Sequence, residues 1–295
     1  MDFRTYSYVQ GVQHLQRMRH VPLLLHVRRR KRMLLKEKKL LLTGVLTPQS
    51  IAFAVAQLAQ AEGAEIVLTG FGRALALTQR AAGRLSPKPE VLELDVTEPA
   101  HYEALARALD SRWGRVDGVL HAVGFAPADA LGGKFLSTPW ESVQRAFQVS
   151  TFSLKELAAS LAPLMKQGGS IVAVDFDNST QAWPLYDWMG VCKAGLSATV
   201  RYLARDLGQH NIRVNALAAG PLATIAAKGI PGFDKLESQW SKRSPLAWDA
   251  KDSQCMEAVA RTAVVMLSDW MPKTTGELIR VDGGYHAIGA DLVPE

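Results

Sequence analysis

The sequence predicts an α/β fold: one doubly wound, single-domain sheet of about seven parallel strands with helices on both faces. Three observations carry this. Short runs apolar at consecutive positions, such as Leu40-Leu41-Leu42, alternate with longer stretches of helical spacing, as strands buried on both faces require. The composition, 48% hydrophobic and 21% charged over 295 residues, is enough to bury a sizeable core and excludes a disordered or collagen-like chain. After Met33 no linker-like break, repeat or low-complexity tract interrupts the pattern, so residues 33–295 read as one domain.

The elements follow in order. Leu40–Thr43 is a buried strand ending at Gly44, and Ile51–Glu62 a helix stopped by Gly63. Glu65–Thr69 is the second strand, a helix follows Arg73, and Val91–Leu94 is the third strand. Pro99 opens a helix to about Arg112, and Asp117–His121 is the fourth strand. A long helical region spans about Pro139 to Met165, and Ser170–Val174 is the fifth strand. Helix returns from Tyr186 to Leu207, then strand at Arg213–Leu217, helix near Met256–Leu267 and strand at Leu278–Val281.

The net charge of +6 is unevenly placed. Residues 1–39 hold 11 of the 34 Lys+Arg and 2 of the 28 Asp+Glu, a local +9, leaving 23 and 26, or −3, for residues 40–295. The basic character therefore gives the domain no footprint for nucleic acid. Residues 1–32, ending in Arg28-Arg29-Arg30-Lys31-Arg32, read as a disordered basic extension or as sequence upstream of a start at Met33. A transit peptide and an electrostatic arm are the alternatives. No apolar run is long enough for a transmembrane helix, so no membrane partner is expected. With two cysteines, Cys192 and Cys255, a reduced, cytoplasmic setting is expected, and the seven histidines show no metal-ligand spacing.

In such a sheet, ligands bind beyond the carboxyl ends of the strands. The first strand–helix turn, Gly44 to Ala52, opens on Gly and enters its helix through Ser50, offering unpaired N–H groups to a pyrophosphate. It lacks the usual G-x-G-x-x-G pattern, so a plain turn with a Ser cap fits equally well. At the end of the second strand, Phe71 is placed to stack on an adenine or simply to pack, and Arg73 keeps a 2′-phosphate open. Asp95-Val96 ends the third strand, where an Asp can accept from an adenine amine. Gly124 follows the fourth, where backbone must approach a ribose. Together these describe a Rossmann-type cradle.

Tyr186 and Lys193, seven residues apart, share one face of the helix after the fifth strand. A nearby ammonium would support the phenol electrostatically. By spacing alone, a packed Tyr and a solvated Lys explain the pair as well; placement after the fifth strand raises the functional reading. Cys192 points about 100° away from Lys193 and reads as packing. His121, at a strand end, reads as structural, and Trp183 and Trp188 as core or pocket border.

From about Leu34 to Gly289 the chain resembles the enoyl-[acyl-carrier-protein] reductases of bacterial type II fatty acid synthesis, a divergent branch of the short-chain dehydrogenase/reductase superfamily. It is most similar to their actinobacterial, mycobacterial-like members. The motifs are Thr43-Gly44 with Ser50-Ile51-Ala52, Leu68-Thr69-Gly70-Phe71, Leu94-Asp95-Val96, His121 to Phe125, Asp175-Phe176-Asp177, Tyr186-x6-Lys193, Ala219-Gly220-Pro221, Leu267 to Trp270 and Val281 to Gly284. Tyr-x6-Lys, where ordinary superfamily reductases have Tyr-x3-Lys, is fairly specific, and the motifs stand in the family's order along one chain.

The resemblance implies hydride transfer from NADH to a trans-2-enoyl thioester on acyl carrier protein, in a homotetramer, with NADPH left open by Phe71 and Arg73. It implies a catalytic group of Tyr186 as oxyanion stabiliser, Lys193 on the nicotinamide ribose, and Phe176 guiding the substrate. Met189 and Phe125, with Tyr186 and Phe176, would line the acyl pocket. Gly44, Ser50, Ile51, Phe71, Asp95, Val96, Gly124, Lys193, Ala219, Pro221, Leu222 and Thr224 match cofactor positions.

Ala122 stands where the mycobacterial branch has Ser, and one extra residue lies between Phe176 and Tyr186, which puts their relative geometry in question. The segment Ile225–Trp240 is shorter than the mycobacterial substrate loop, an argument against very long acyl chains. Lys228, Lys235, Lys242 and Arg243 form either a basic rim for the acidic carrier protein or a solvated face. Two rival readings remain: a short-chain reductase acting on a carbonyl or alcohol, and a catalytically silent binding protein on this fold. Phe176, where a carbonyl reductase would carry Ser, counts against the first. The intact Tyr186 and Lys193 count against the second.

Overall fold

The structure, a computed structural model, describes residues 33–177 and 181–291; the basic segment 1–32 lies outside the described residues. Leu40 and Leu42 bury on one side of their strand and Leu41 on the other, and this two-sided burial recurs strand after strand. Seven parallel strands result: β1 Lys39–Leu42, β2 Glu65–Gly70, β3 Glu90–Glu93, β4 Gly118–His121, β5 Gly169–Asp175, β6 Ile212–Ala219 and β7 Leu278–Val281. They lie in the order β3-β2-β1-β4-β5-β6-β7, with Leu42 in register with Leu68 and Leu120, and Ala173 with His121 and Ala216. The order reverses between β1 and β4, which opens a crevice at their carboxyl ends.

The helices are α1 Ile51–Ala61, α2 Gly72–Ala82, α3 Pro99–Trp113, α4 Trp140–Phe147, α5 Ser153–Leu161, α6 Asp187–Leu207, α7 Ile225–Lys228, α8 Phe233–Arg243 and α9 Ser253–Leu267. Their ends are chemically marked. Ser50 accepts from the Phe53 N–H at the start of α1, and Asp252 from the Gln254 N–H at the start of α9. Pro99 opens α3, and Gly114, at φ 64°, ends it. One core cluster joins α1 and α9 to one sheet face; the other joins α3, α5 and α6 to the opposite face.

Three details differ from the sequence expectation. The helical region from Pro139 is not continuous α-helix: Gln148–Phe152 is a π-turn between α4 and α5. That turn satisfies a local need, because Ser150 both donates to the Phe125 carbonyl and accepts from its N–H, each at 2.9 Å. Tyr186 is the N-cap of α6, not its first turn. The stretch after Thr224, read as a loop, holds the two helices α7 and α8.

Candidate active site

A cavity of about 850 Å³ opens at the crevice between β1 and β4. Its floor begins at Gly44, where φ is +80° and a Cβ would stand 2.1 Å from the Ala122 carbonyl oxygen. Only glycine permits that approach. Beside it the Thr43 hydroxyl donates to the Leu120 carbonyl and accepts from the Ala122 N–H, clipping the ends of β1 and β4 together. Ser50 and Ile51 at the start of α1 line the cavity next, presenting the free N–H groups of a helix terminus.

The far wall is made by β2 and β3. Phe71 is 41% exposed and lines the cavity, whereas Arg73 does not line it. Asp95 is oriented by its Oδ1, which accepts from the Thr97 N–H at 2.9 Å and hydroxyl at 2.8 Å. Val96 and Gly124 complete this end, and Phe125, held by Ser150 of the π-turn, faces the cavity half-exposed. Ala219 at the end of β6 and Pro221, Leu222 and Thr224 after it run along the opposite edge. Gly220 between them is packed so closely that a Cβ would meet Trp248 at 2.7 Å and the Trp240 Nε1 at 3.0 Å.

The reacting end lies at β5 and α6. Lys193 is buried, and its Nζ donates to the Val174 carbonyl at 2.8 Å. Asp175 is buried one residue on, its Oδ2 accepting from the Ser197 hydroxyl at 2.6 Å and its Oδ1 from the Phe176 N–H at 2.8 Å. Burial pushes the Lys193 ammonium below its usual range, opposed by the nearby Asp175 carboxylate. Burial likewise pushes Asp175 up, opposed by Lys193, the Ser197 hydroxyl and the Phe176 N–H.

Tyr186 is 7% exposed and lines the cavity. Its hydroxyl bonds to none of the described residues, and it is not among the fully buried atoms left without a partner. Burial, and then the charges of Asp175 and Cys192, raise its pKa above the ordinary phenol value, so the group is a protonated donor. Despite the extra residue before Tyr186, its ring meets Phe176 edge-on, with centroids 5.2 Å apart at 65°.

All the residues assigned to catalysis, cofactor and substrate from sequence thus border one cavity, Met189 included. Several wall residues escaped sequence reading. Leu131 packs with Tyr186 and Met189, and Ile225, Ile230, Phe233 and Leu236 form a roof from α7 and α8. Their signal was present as apolar residues every three to five positions in an otherwise polar stretch.

The remaining candidates lie elsewhere. Trp183 packs on Phe176 and Trp240, and Trp188 stacks on Phe135; neither borders the cavity. His121 is fully buried, with Nε2 2.8 Å from the Ser153 hydroxyl, and burial lowers its pKa to about 3. Burial pushes the Cys192 thiol up to about 11, away from a nucleophile's range. Lys228, Lys235 and Lys242 are exposed, but Arg243 is tied to the Tyr285 hydroxyl and the Ile288 carbonyl, at 3.0 and 2.7 Å. Among the described residues no group of three or more His, Cys, Asp or Glu is arranged to hold a metal, and no helix is long and apolar enough to cross a membrane.

The donor set suits a dinucleotide: a glycine turn and helix N-terminus for phosphates, an exposed aromatic ring and an acid at the far end, and a buried ammonium at the near end. Fold and site together define a Rossmann-like short-chain reductase. A family model described as "Enoyl-(Acyl carrier protein) reductase" matches residues 44–286. Over 265 residues the chain is 42% identical to the "Enoyl-[acyl-carrier-protein] reductase [NADH]" of Mycolicibacterium smegmatis, covering 85% of this chain and 97% of that one. It is 40% identical to the protein of that name from Mycobacterium avium, at the same coverage. An Aquifex aeolicus enoyl-[acyl-carrier-protein] reductase [NADH] is 35% identical over 87% of this chain and 94% of its own. The chain belongs to the enoyl-[acyl-carrier-protein] reductase family.

Proposed function

We propose that this chain reduces trans-2-enoyl-acyl-carrier-protein to the saturated acyl form with NADH, in fatty acid elongation. The observation that carries this reading is the Tyr186 hydroxyl, protonated, open to the cavity and beside Phe176, on the same wall as the buried Lys193. Bound NADH supplies the hydride taken up at the β-carbon of the enoyl thioester. Tyr186 donates a hydrogen bond to the thioester oxygen as negative charge gathers there, and the α-carbon takes a proton from solvent to complete the product. With one N–H held by Val174, Lys193 turns its other donors to the ribose hydroxyls of the cofactor. The start of α1 at Ser50 receives the pyrophosphate, and Phe71 and Asp95 receive the adenine end. Phe176, its N–H fixed by Asp175, flanks the enoyl group.

The choice of NADH over NADPH rests on Phe71 bordering the cavity while Arg73 stands outside it, and on the [NADH] in the relatives' names. Exposed Trp140, Phe147, Phe152, Val191 and Tyr202 on and between α4 and α6 support association between copies of the chain, read here as a homotetramer and measurable by light scattering. The carrier protein is received at Lys228, Lys235 and Lys242, the enzyme works in the cytoplasm, and residues 1–32 are an extension dispensable for turnover. Loss of absorbance at 340 nm with an enoyl thioester, read separately with NADH and NADPH, tests the assignment. No oxidation with either cofactor overturns it, and faster turnover with NADPH overturns the cofactor choice.

A further inference from the structure

Tyr186 sits between two strained residues. Leu185 has φ +68° and Asp187 φ +43°, a region that side-chain-bearing residues enter at a cost. A leucine there has no local compensation, so the surrounding structure must hold the turn. Two contacts do so. The Asp187 Oδ2 accepts from the Gly133 N–H at 2.6 Å and the Lys134 N–H at 3.0 Å, and the Leu185 carbonyl accepts from the Gly132 N–H at 2.9 Å.

Gly132 and Gly133 are themselves at φ +81° and +85°, so the loop after β4 is shaped into a small cradle of backbone donors around one carboxylate. Asp187 also opens α6, where a negative charge is favoured by the helix dipole. The Leu185 side chain packs against Gly232, where a Cβ would come within 2.3 Å of it, so only glycine on the roof side leaves room for this turn.

We propose that Asp187 is a positioning residue for Tyr186: its carboxylate, gripped by the Gly133–Lys134 amides, holds the strained turn that sets the phenol in the cavity. This rests on the role proposed above for the Tyr186 hydroxyl. Asp187 itself is not part of the cavity wall; it acts through the backbone on either side of Tyr186. Asparagine would keep an acceptor oxygen and tolerate the positive φ, whereas glycine keeps the φ and loses the grip.

The test is a double-mutant cycle on turnover, with NADH affinity read by fluorescence. Asp187→Gly, and Gly133→Ala on the donor side of the same contact, should each lower kcat about tenfold or more, with the NADH Kd within about twofold. Asp187→Asn should retain most of the turnover. In a Tyr186→Phe background, Asp187→Gly should add less than about a twofold further loss, because the group it positions is gone. Unchanged kcat in Asp187→Gly overturns the proposal, as does the same fold-loss in both backgrounds. Variants that lose NADH binding and kcat together mark a general structural role and also overturn it. Full turnover in Tyr186→Phe alone removes the reading of Tyr186 and this proposal with it, whereas loss there with none in Asp187→Gly removes only the proposal.

Discussion

Lys193 donates to the Val174 carbonyl at 2.8 Å, so a strand carbonyl at the end of β5 fixes where the ammonium of α6 stands. This anchor costs the ammonium one of its three donors and leaves the others for a ligand. Replacing Lys193 by Ala removes the anchor and leaves Asp175 buried without the cation that opposes its burial. Weak NADH binding and a loss of about 10²-fold or more in kcat/KM are expected, measured by fluorescence titration and steady-state kinetics.

Tyr186→Phe removes only the hydroxyl and keeps the ring contact with Phe176. Turnover should fall by about 10²-fold, the scale of one lost oxyanion donor, while NADH affinity stays near that of the parent. Equal losses in both would assign Tyr186 to cofactor binding instead.

At Gly44 an alanine meets backbone, not a side chain that can swing aside, and does so at a positive φ. Gly44→Ala should therefore lower both the melting temperature and NADH affinity, the latter by about tenfold or more, because β1 and β4 must part at the crevice. Unchanged affinity would mean that the turn is not the phosphate cradle.

His121 gives a pH signature. Its Ser153 partner spends its own proton on the Val149 carbonyl at 2.7 Å, so the histidine donates from Nε2, and burial keeps it neutral. With the folded pKa near 3 against 6.5 for the free group, the unfolded chain binds the extra proton as pH falls through 6.5. Stability from this group is intact above pH 6.5 and declines toward pH 3, with a limiting slope of about 1.4 kcal/mol per pH unit. His121→Gln should flatten that acid slope in denaturant titrations; an unchanged slope would place the proton uptake elsewhere.

The short α7 and the eleven-residue α8 make a compact roof, and ordinary membrane-length acyl chains should be preferred. A chain-length series is the check, with a preference for much longer chains as the contrary result.

The seven strands were legible as short runs apolar at consecutive positions between stretches of helical spacing, but their order in the sheet, set by which strands pair across the core, was not. The Tyr186–Lys193 pair stood out by its place after the fifth strand and by its motif, since its spacing alone fits a packed Tyr and a solvated Lys equally well. The motif Asp175-Phe176 was legible as a string, but the Ser197 hydroxyl that steadies it lies 22 residues on and had no signal of its own. The sign of φ at Leu185 and Asp187 was invisible, since leucine gives no warning of a left-handed turn. The π-turn escaped for a similar reason: its cause is a partner, Phe125, in a distant loop. Local chemistry could be read from order and spacing; constraints imposed by a distant segment could not.

Arg243, at the last turn of α8, grips Tyr285 and Ile288 near the end of the described chain. The stretch from Tyr285 to Ile288 is therefore a hawser made fast to the cavity's ceiling. A fusion that drew this stretch away from α8 would pull on the substrate chamber.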